Sequence, residues 1–177
     1  WPDVLITSGD QPGAVLYVNP KGESHRWKSY RVVPTVNTEE SLLADVDGDG
    51  KPELIYGAEG YMRYAKADPA NPTGPWTIHS VSEKGPWPNH GLGIGDVNGD
   101  GRKDILGAQG WLEQPASDAG EKPWRYHPVA FGRWGRIAPG GSQIGVYDVN
   151  GDGLNDVVTS LEAHGWGLAW FEQKRAR

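Results

Sequence analysis

Residues 45–53 read Asp45-Val-Asp-Gly-Asp-Gly-Lys-Pro-Glu53, and two further segments repeat this arrangement. They are Asp96-Val-Asn-Gly-Asp-Gly-Arg-Lys-Asp104 and Asp148-Val-Asn-Gly-Asp-Gly-Leu-Asn-Asp156. The first residues of the three segments are 51 and 52 positions apart. Each segment is followed by a short apolar run typical of a strand, such as Leu54-Ile55-Tyr56. A repeated unit of about fifty residues therefore organises the chain.

Two other patterns recur in phase with these loops. The pattern Trp-x-x-(Tyr/His)-x-Val occupies 27–32, 76–81 and 124–129, with the near-twofold alternation of a strand. Residues 1–6 align with 51–56, so we expect the sequence to begin inside a fourth copy of the loop. Each unit then offers about four short strands separated by Gly, Pro and Asn, and no amphipathic helix is evident.

Four strands in a unit of about fifty residues are typical of a β-propeller blade. With the strands named A to D outward from the propeller axis, the chain reads BCD, ABCD, ABCD, ABC, which is fourteen strands in one all-β segment, 1–177. The predicted blades are 1–34 (truncated), 41–82, 91–131 and 143–173 (truncated). About 3.5 blades cannot close a ring, so we expect a seven-bladed propeller that further blades or another protein chain complete.

The composition limits the possible functions. The 177 residues carry a formal net charge of −6, which argues against a nucleic-acid-binding surface. No apolar run approaches the ~18 residues of a membrane span. Nine Trp and seven Tyr, against two Phe and one Met, suit short strands and binding loops better than a helical core.

The Asp-rich loops place oxygen ligands at alternate positions. Side chains at loop positions 1, 3, 5 and 9, with the backbone carbonyl of position 7, are donors of the kind that Ca²⁺ prefers, whereas Mg²⁺ demands a tighter octahedron. The glycines at positions 4 and 6 permit the positive φ angles that wrap a backbone around an ion. The sequence therefore predicts three Ca²⁺ sites, one per complete loop. Their ligands are Asp45, Asp47, Asp49, Lys51 and Glu53; Asp96, Asn98, Asp100, Arg102 and Asp104; and Asp148, Asn150, Asp152, Leu154 and Asp156.

Two other interpretations of the loops are weaker. Asp-Gly and Asn-Gly clusters also form tight turns without a metal, but three of them in register, each ending in an acid at the same offset, favour metal binding. An EF-hand or dockerin loop begins in the same way but needs a bidentate Glu at position 12 and a helix on each side. Position 12 is Tyr56, Gly107 or Thr159, and the flanking residues are strand-like.

The loops, the strand after each of them and the repeat length resemble FG-GAP (VCBS) repeats, as in integrin α-subunit propellers and many secreted bacterial proteins. The resemblance covers essentially the whole chain. It implies that the calcium loops join strands A and B on the lower face and that ligands meet the upper face. The signatures that name the family are degenerate here (Gly57-Ala58 and Gly107-Ala108), so integrin-like partner binding does not follow. Calcium loading at millimolar levels implies an extracellular or periplasmic location.

Candidate functional residues lie in the loops expected on the upper face. His90 and His164 have no counterparts in the other repeats. The residues around them in these loops are Trp87, Trp134, Trp166, Arg133, Arg136, Glu39, Glu40 and Glu162. Aromatic faces beside His, Arg and carboxylates suit a carbohydrate. Three interpretations stay open: Trp lids over the blade core, a non-catalytic ligand surface with Trp87, Trp134, Trp166 and Arg136, and a catalytic or second metal site at His90 and His164.

The stretches 111–115, 163–170 and 170–173 also look like the propellers of planctomycete-type secreted proteins, which are similar to the propeller part of aldos-2-ulose dehydratases. That resemblance implies a carbohydrate lyase or dehydratase acting on keto-sugars, with catalytic candidates His90, His164, Glu162 and Arg133. The first function we predict is a calcium-stabilised module for carbohydrate or protein recognition or for scaffolding, without catalysis of its own.

Overall fold

A computed structural model describes residues 1–8, 11–87, 89–117, 120, 122–132, 141 and 143–175. Within them the chain is all-β, and no described segment is a helix that could cross a membrane. The strands are β1 (Val4–Ser8), β2 (Gln11–Val18), β3 (Lys28–Val33), β4 (Leu42–Ala44), β5 (Glu53–Ala58), β6 (Tyr61–Lys66), β7 (Thr77–Ser80), β8 (Leu92–Gly95), β9 (Asp104–Gly107), β10 (Gly110–Glu113), β11 (Arg125–Pro128), β12 (Gln143–Tyr147), β13 (Asp156–Ser160) and β14 (Leu168–Phe171).

Consecutive strands form antiparallel sheets, which we call blades I to IV. Blade I is β1–β3, blade II is β4–β7, blade III is β8–β11 and blade IV is β12–β14. Blades III and IV also join through a short parallel pairing of their first strands, where Leu92 and Gly93 of β8 lie beside Gln143 and Ile144 of β12. First strands that run side by side in one direction are expected around a propeller axis. The predicted fold class, a partial β-propeller, is confirmed.

The apolar cores lie between consecutive blades. Clusters of this kind join blades I and II and blades III and IV. Because an inner blade is covered on both faces, all six residues of β5 are buried, and its sequence is apolar after the first residue. The cluster between blades II and III consists of Val46, Ile55, Met62, Tyr64, Val81, Leu92, Ile105, Leu112 and Trp124.

The recurring Trp-x-x-(Tyr/His)-x-Val pattern links neighbouring blades through the backbone. The N–H of Trp76 donates to the carbonyl oxygen of Val32 at 2.8 Å, and the N–H of Trp124 donates to that of Val81 at 2.8 Å. In each bond the first residue of one copy of the pattern reaches the last residue of the copy before it. The pattern therefore keeps the outer strands of adjacent blades in a constant register.

The A strands have the two sets of loops at opposite ends. Strand β8 starts two residues after His90 and ends at the residue before Asp96. The A–B loops, with their Asp residues, lie at one end, which we call the lower face. The connections from strand D to strand A, and from B to C, lie at the other end, the upper face. Any ligand of the Asp loops is therefore separated by the length of a strand from any ligand of the histidines.

Candidate functional site

Each Asp-rich loop turns between strands A and B through two glycines with left-handed backbone conformation. Gly48 and Gly50 have φ angles of 80° and 84°, and the matching glycines of the other loops lie between 77° and 85°. A Cβ added at any of them would meet no atom within 4 Å, so the backbone angle rather than a lack of space requires glycine. The predicted positive φ angles at loop positions 4 and 6 are confirmed.

The Asp at loop position 1 closes each loop onto itself. Asp45 Oδ1 accepts the N–H of Gly48 at 2.8 Å, and its Oδ2 accepts the N–H of Gly50 at 3.1 Å. Asp96 and Asp148 accept the equivalent pairs of bonds. A metal-free tight turn would use the same bonds. These bonds therefore do not distinguish a tight turn from a metal site, and the positions of the other side-chain oxygens in the loop must be compared.

Three carboxylates converge in the first loop, where one oxygen each of Asp45, Asp47 and Asp49 lies within 4.8 Å of the other two. Lys66, at the end of β6, places its ammonium among them, bonded to Asp47 Oδ2 and 2.7 Å from Asp49 Oδ2. The hydrogen bond from Lys66 lowers the pKa of Asp49. Burial alone would lower the pKa of Lys66, but its bonds to the two carboxylates raise it. The loop thus already attracts a cation, and its donors are hard oxygens that suit Ca²⁺.

Glu53, at position 9 of the first loop, has one oxygen without a partner. This side chain is fully buried, and its Oε2 accepts the N–H of Val46 at 2.9 Å. Its other oxygen, Oε1, is buried with no hydrogen bond to any described residue. Burial raises the pKa of Glu53 against the effect of that N–H. A buried polar atom without a partner is costly, and a cation at the loop would satisfy it.

The position-9 acids of the other two loops are satisfied by backbone N–H groups. Asp104 is fully buried and accepts the N–H groups of Val97 and Gln114, each at 2.9 Å. Burial raises the pKa of Asp104 to about 6, although these bonds oppose the shift. Asp156 is bonded in the same way, and its bonds outweigh burial and lower its pKa. These acids fasten the loop to strand C, and their role as metal ligands stays a prediction.

The second and third loops differ from the first at two facing positions. Lys66, Glu113 and Glu172 occupy equivalent positions in their blades. In each blade the first apolar residue of strand B pairs with a residue of strand C, and Lys66, Glu113 or Glu172 comes directly after that residue. In these loops Asn replaces Asp at position 3. Asn98 Nδ2 donates to Glu113 Oε1 at 3.4 Å, and Asn150 Nδ2 donates to Glu172 Oε1 at 2.9 Å. An Asp–Lys pair in the first loop therefore becomes an Asn–Glu pair in the others.

The second loop also contains a cation at position 7. The guanidinium of Arg102 bonds Asp100 Oδ2, and its Nε donates to the carbonyl oxygen of Gln114 at 3.0 Å. Burial alone would raise the pKa of Asp100, but hydrogen bonds from the backbone N–H of Arg102 and from Asn98 lower it. The third loop has Leu154 at this position, so the charge balance differs in each loop.

Side chains of the following blade tie successive loops together. Gln173 Nε2 donates to the carbonyl oxygen of Val97 at 2.9 Å, and Asn155 Nδ2 donates to that of Asp96 at 2.7 Å. Blade III holds the first loop in the same way. The loops thus form a connected row along the lower face, and each is shaped partly by its neighbour.

Sequence reasoning missed the residues at the end of strand C that face the loops, and the glutamines that bond between blades. Their signal is present in the repeats. When the repeats are aligned through the pairing of strands B and C, a charge reversal appears between Lys66 and its two Glu counterparts. The glutamines follow those two Glu residues directly.

On the upper face, two histidines from different blades meet. His90 precedes β8 and His164 precedes β14, and their Nε2 atoms lie 3.2 Å apart with the ring planes at 89°. Glu39, which precedes β4, has its Oε1 3.6 Å from His90 Nε2. One ligand atom of each residue lies within 4.8 Å of the others. Since the three residues come from three different connections, only the folded propeller brings them together.

Glu40 holds the backbone beside His90. Its Oε2 accepts the N–H groups of Gly91 and Leu92, each at 3.1 Å, across the boundary between blades II and III. Below His90 is a cavity of about 10 Å³, enough for about one water molecule, lined in part by Trp87. The histidine pair therefore lies over a closed core, and a ligand would approach it from outside.

The remaining predicted residues of the upper face lie in varied surroundings. Trp87 Nε1 donates to the carbonyl oxygen of Glu83 at 3.1 Å, and its ring packs over the core between blades II and III, as a lid would. Trp166 is 87% exposed. Glu162 lies against Gly165 in its own turn and does not join the histidine group. The other candidates, Arg133, Trp134 and Arg136, lie outside the described residues.

A family model supports the repeat. The family model of the FG-GAP-like repeat matches residues 45–107, a stretch with the first two Asp-rich loops, so an FG-GAP-like repeat is present there. A crystal structure of the V. cholerae biofilm matrix protein Bap1 is similar at a TM-score of 0.43 and 19% sequence identity. That alignment covers 97% of this chain but only 30% of Bap1, so the chain spans about a third of that protein's length. No curated protein matches the sequence.

Proposed function

We propose that this chain is a calcium-stabilised module of a secreted β-propeller, with Ca²⁺ on the lower face and ligand recognition on the upper face. The observation that carries the proposal is the first loop, where three carboxylates converge and the buried Oε1 of Glu53 has no hydrogen-bond partner among the described residues. The sequence motif of this loop recurs in two more loops of the row. Calcium would neutralise the converging charges and fix the A–B connections, so its binding free energy adds to folding.

Thermal unfolding tests this proposal. At a free calcium concentration of about 100 Kd, one site adds about 2.7 kcal/mol, and a chain of this size gains about 2–4 °C per kcal/mol. We expect the Tm in calcium to exceed the Tm in EDTA by at least about 5 °C. Asp100→Ala should reduce that difference without removing it, because the other loops remain. Glu59→Ala, at an exposed acid in the turn between β5 and β6 on the upper face, is the matched control. A Tm that EDTA leaves unchanged would contradict the proposal.

The histidine pair supports a second candidate function, a transition-metal site on the upper face. Two nitrogens that bind one tetrahedral Zn²⁺ at ~2.1 Å lie about 3.4 Å from each other, close to the observed 3.2 Å between His90 Nε2 and His164 Nε2. Glu39 adds a carboxylate to the two imidazoles. Two His and one carboxylate, with a position open to solvent, are a donor set that catalytic zinc sites use. A simple N–H···N hydrogen bond between the rings is the competing explanation.

Metal analysis separates these explanations. The dialysed protein should retain about one Zn²⁺ in addition to calcium, and His164→Ala should weaken zinc binding at least about 100-fold. His25→Ala is the control, because His25 is exposed and far from the pair in sequence. A protein that takes up no zinc, or binds it equally well in both variants, would leave only the hydrogen bond.

The upper face also suggests a class of ligand. Trp166 presents a largely exposed indole two residues from His164, and exposed indoles stack on the C–H faces of sugars. We therefore favour a carbohydrate over a protein partner. A keto-sugar lyase or dehydratase is the corresponding enzyme, with His90 and His164 holding the metal. Turnover of a keto-sugar that is lost in His164→Ala, with folding intact, would support the enzyme; binding without turnover would support the recognition module.

A further inference from the structure

The residue at the end of strand C differs in charge between the first loop and the other two. In blades II to IV this residue faces loop position 3, and the pair at these two places is Asp47 with Lys66, Asn98 with Glu113, or Asn150 with Glu172. The two places change together: a lysine faces the loop that has the extra Asp, and a glutamate faces the loops that have Asn. The first loop therefore has its additional negative charge at loop position 3, whereas the other two loops have it at the end of strand C.

We propose that the strand C residue sets the affinity of each loop for calcium, so that Lys66 makes the loop at 45–53 the weakest site and Glu172 makes the loop at 148–156 the strongest. This inference rests on the proposed binding of Ca²⁺ to the loops. It assigns an affinity-determining role to residues outside the nine-residue motif. Sites that share one motif then load at different calcium concentrations.

The ammonium of Lys66 competes for the position that an ion needs. Its Nζ contacts Asp47 and Asp49, two of the three converging carboxylates. An entering ion must displace this ammonium, and it then experiences the repulsion of a positive charge that strand β6 keeps close to the loop. The Lys66 side chain is 30% exposed, so water screens this repulsion only in part. Without calcium, the same ammonium relieves the repulsion between the carboxylates.

Glu172 acts in the opposite direction in the third loop. It accepts a hydrogen bond from Asn150 Nδ2 at 2.9 Å, which fixes the orientation of the amide. It also adds a negative charge beside the loop, and Leu154 replaces the cation of the second loop. Lys174 pairs with Glu172 at 2.5 Å, but its side chain is 71% exposed and is free to turn into solvent. The second loop is intermediate, because Glu113 is present but Arg102 contacts Asp100.

A chain with one active loop tests the proposal directly. In a background of Asp100→Asn and Asp152→Asn, the remaining calcium site is the first loop, and isothermal titration calorimetry measures its affinity. Adding Lys66→Gln should raise this affinity at least about tenfold, since removal of a unit charge near a divalent ion is worth more than ~1.4 kcal/mol at short range. Adding Lys84→Gln, which changes net charge equally on the upper face, should change it less than about twofold.

The reverse substitution provides a second test that does not depend on how well Lys66→Gln folds. In a background of Asp49→Asn and Asp100→Asn, Glu172→Lys should weaken calcium binding to the third loop by about tenfold or more. Circular dichroism in calcium confirms that each variant is folded. Lys66→Gln should also lower the Tm in EDTA, because it removes the ammonium that bonds two of the converging carboxylates, and calcium should restore the Tm.

The possible failures are distinguishable. If the unmodified chain binds no calcium, the proposed function and this inference both fall. If the chain binds calcium but Lys66→Gln and Glu172→Lys leave the affinities of their loops unchanged, the calcium proposal stands and the inference is overturned.

Discussion

The buried acid at loop position 9 leads to a prediction that compares two copies of one repeat position. Asp104 is fully buried and accepts two backbone N–H groups, from Val97 and Gln114. Asp3 is its counterpart in blade I, but it is exposed, and among the described residues it accepts one N–H, that of Asn19 at 2.8 Å. Truncation of each Asp to Ala therefore removes the same atoms from opposite environments.

The expected cost follows from the N–H groups that lose their acceptor. Each buried N–H without a partner costs about 1–3 kcal/mol, and Asp104→Ala leaves two such groups. Because the substitution also removes the cost of burying a carboxylate, we expect the free energy of unfolding to fall by about 3 kcal/mol. Asp3→Ala leaves an N–H that water reaches, and its cost should stay below about 1 kcal/mol. Since stabilities of single domains are about 5–15 kcal/mol, the first substitution removes a large share and the second does not.

Urea unfolding followed by Trp fluorescence measures both free energies of unfolding. The experiment is carried out in EDTA, so that any loss of calcium affinity does not contribute to the difference. Asp104→Asn is a useful intermediate, because it retains one acceptor oxygen but turns an NH₂ toward a backbone donor. Equal losses for Asp104→Ala and Asp3→Ala would refute the conclusion that the buried acid fastens the loop to strand C.

Two further predictions concern contacts within and between blades. Gly93→Ala should lower the free energy of unfolding by about 1–3 kcal/mol, because a Cβ there would lie 2.5 Å from the carbonyl oxygen of Ile144 in the parallel pairing of blades III and IV. If urea unfolding shows no loss of stability, the two blades are not so closely packed. His127→Ala should lower the free energy of unfolding by about 1–2 kcal/mol, because the His127 ring stacks on Trp111 with centroids 4.0 Å apart. The control His25→Ala, at an exposed histidine, should change it by less than about 0.5 kcal/mol. Equal effects in the two variants would argue against a structural role for the stacked ring.

The repeat made much of the fold predictable from sequence. The Asp loops mark where strand A ends and strand B begins, and the Trp-x-x-(Tyr/His)-x-Val pattern marks strand D, so their common period locates the strands of each blade. The pairing of β8 with β12 could not be predicted from the sequence, because about a whole blade of sequence lies between the two strands. Parallel pairing between units leaves no local signature, whereas each antiparallel hairpin has its turn residues.

Site residues were predictable from sequence where they belong to the repeated motif or where they break the repeat. His90 and His164 attract attention because they break the repeat, and their meeting at 3.2 Å agrees with that interpretation. The choice of Glu39 over Glu162 as their acidic neighbour depends on how three connections approach one another, which no single stretch of sequence encodes. Lys66 escaped notice for a different reason: a lysine at a strand end usually contacts solvent.

The number of calcium ions bound per chain tests directly whether the Asp-rich loops are metal sites. The protein is dialysed against a buffer whose free calcium concentration exceeds the Kd of the loops. The bound metal is then measured by elemental mass spectrometry and divided by the protein concentration. We expect about three Ca²⁺ per chain, one for each complete loop. Removal of the Asp at position 5 from one loop should lower the count by one. A folded chain that retains no calcium under these conditions would contradict the account.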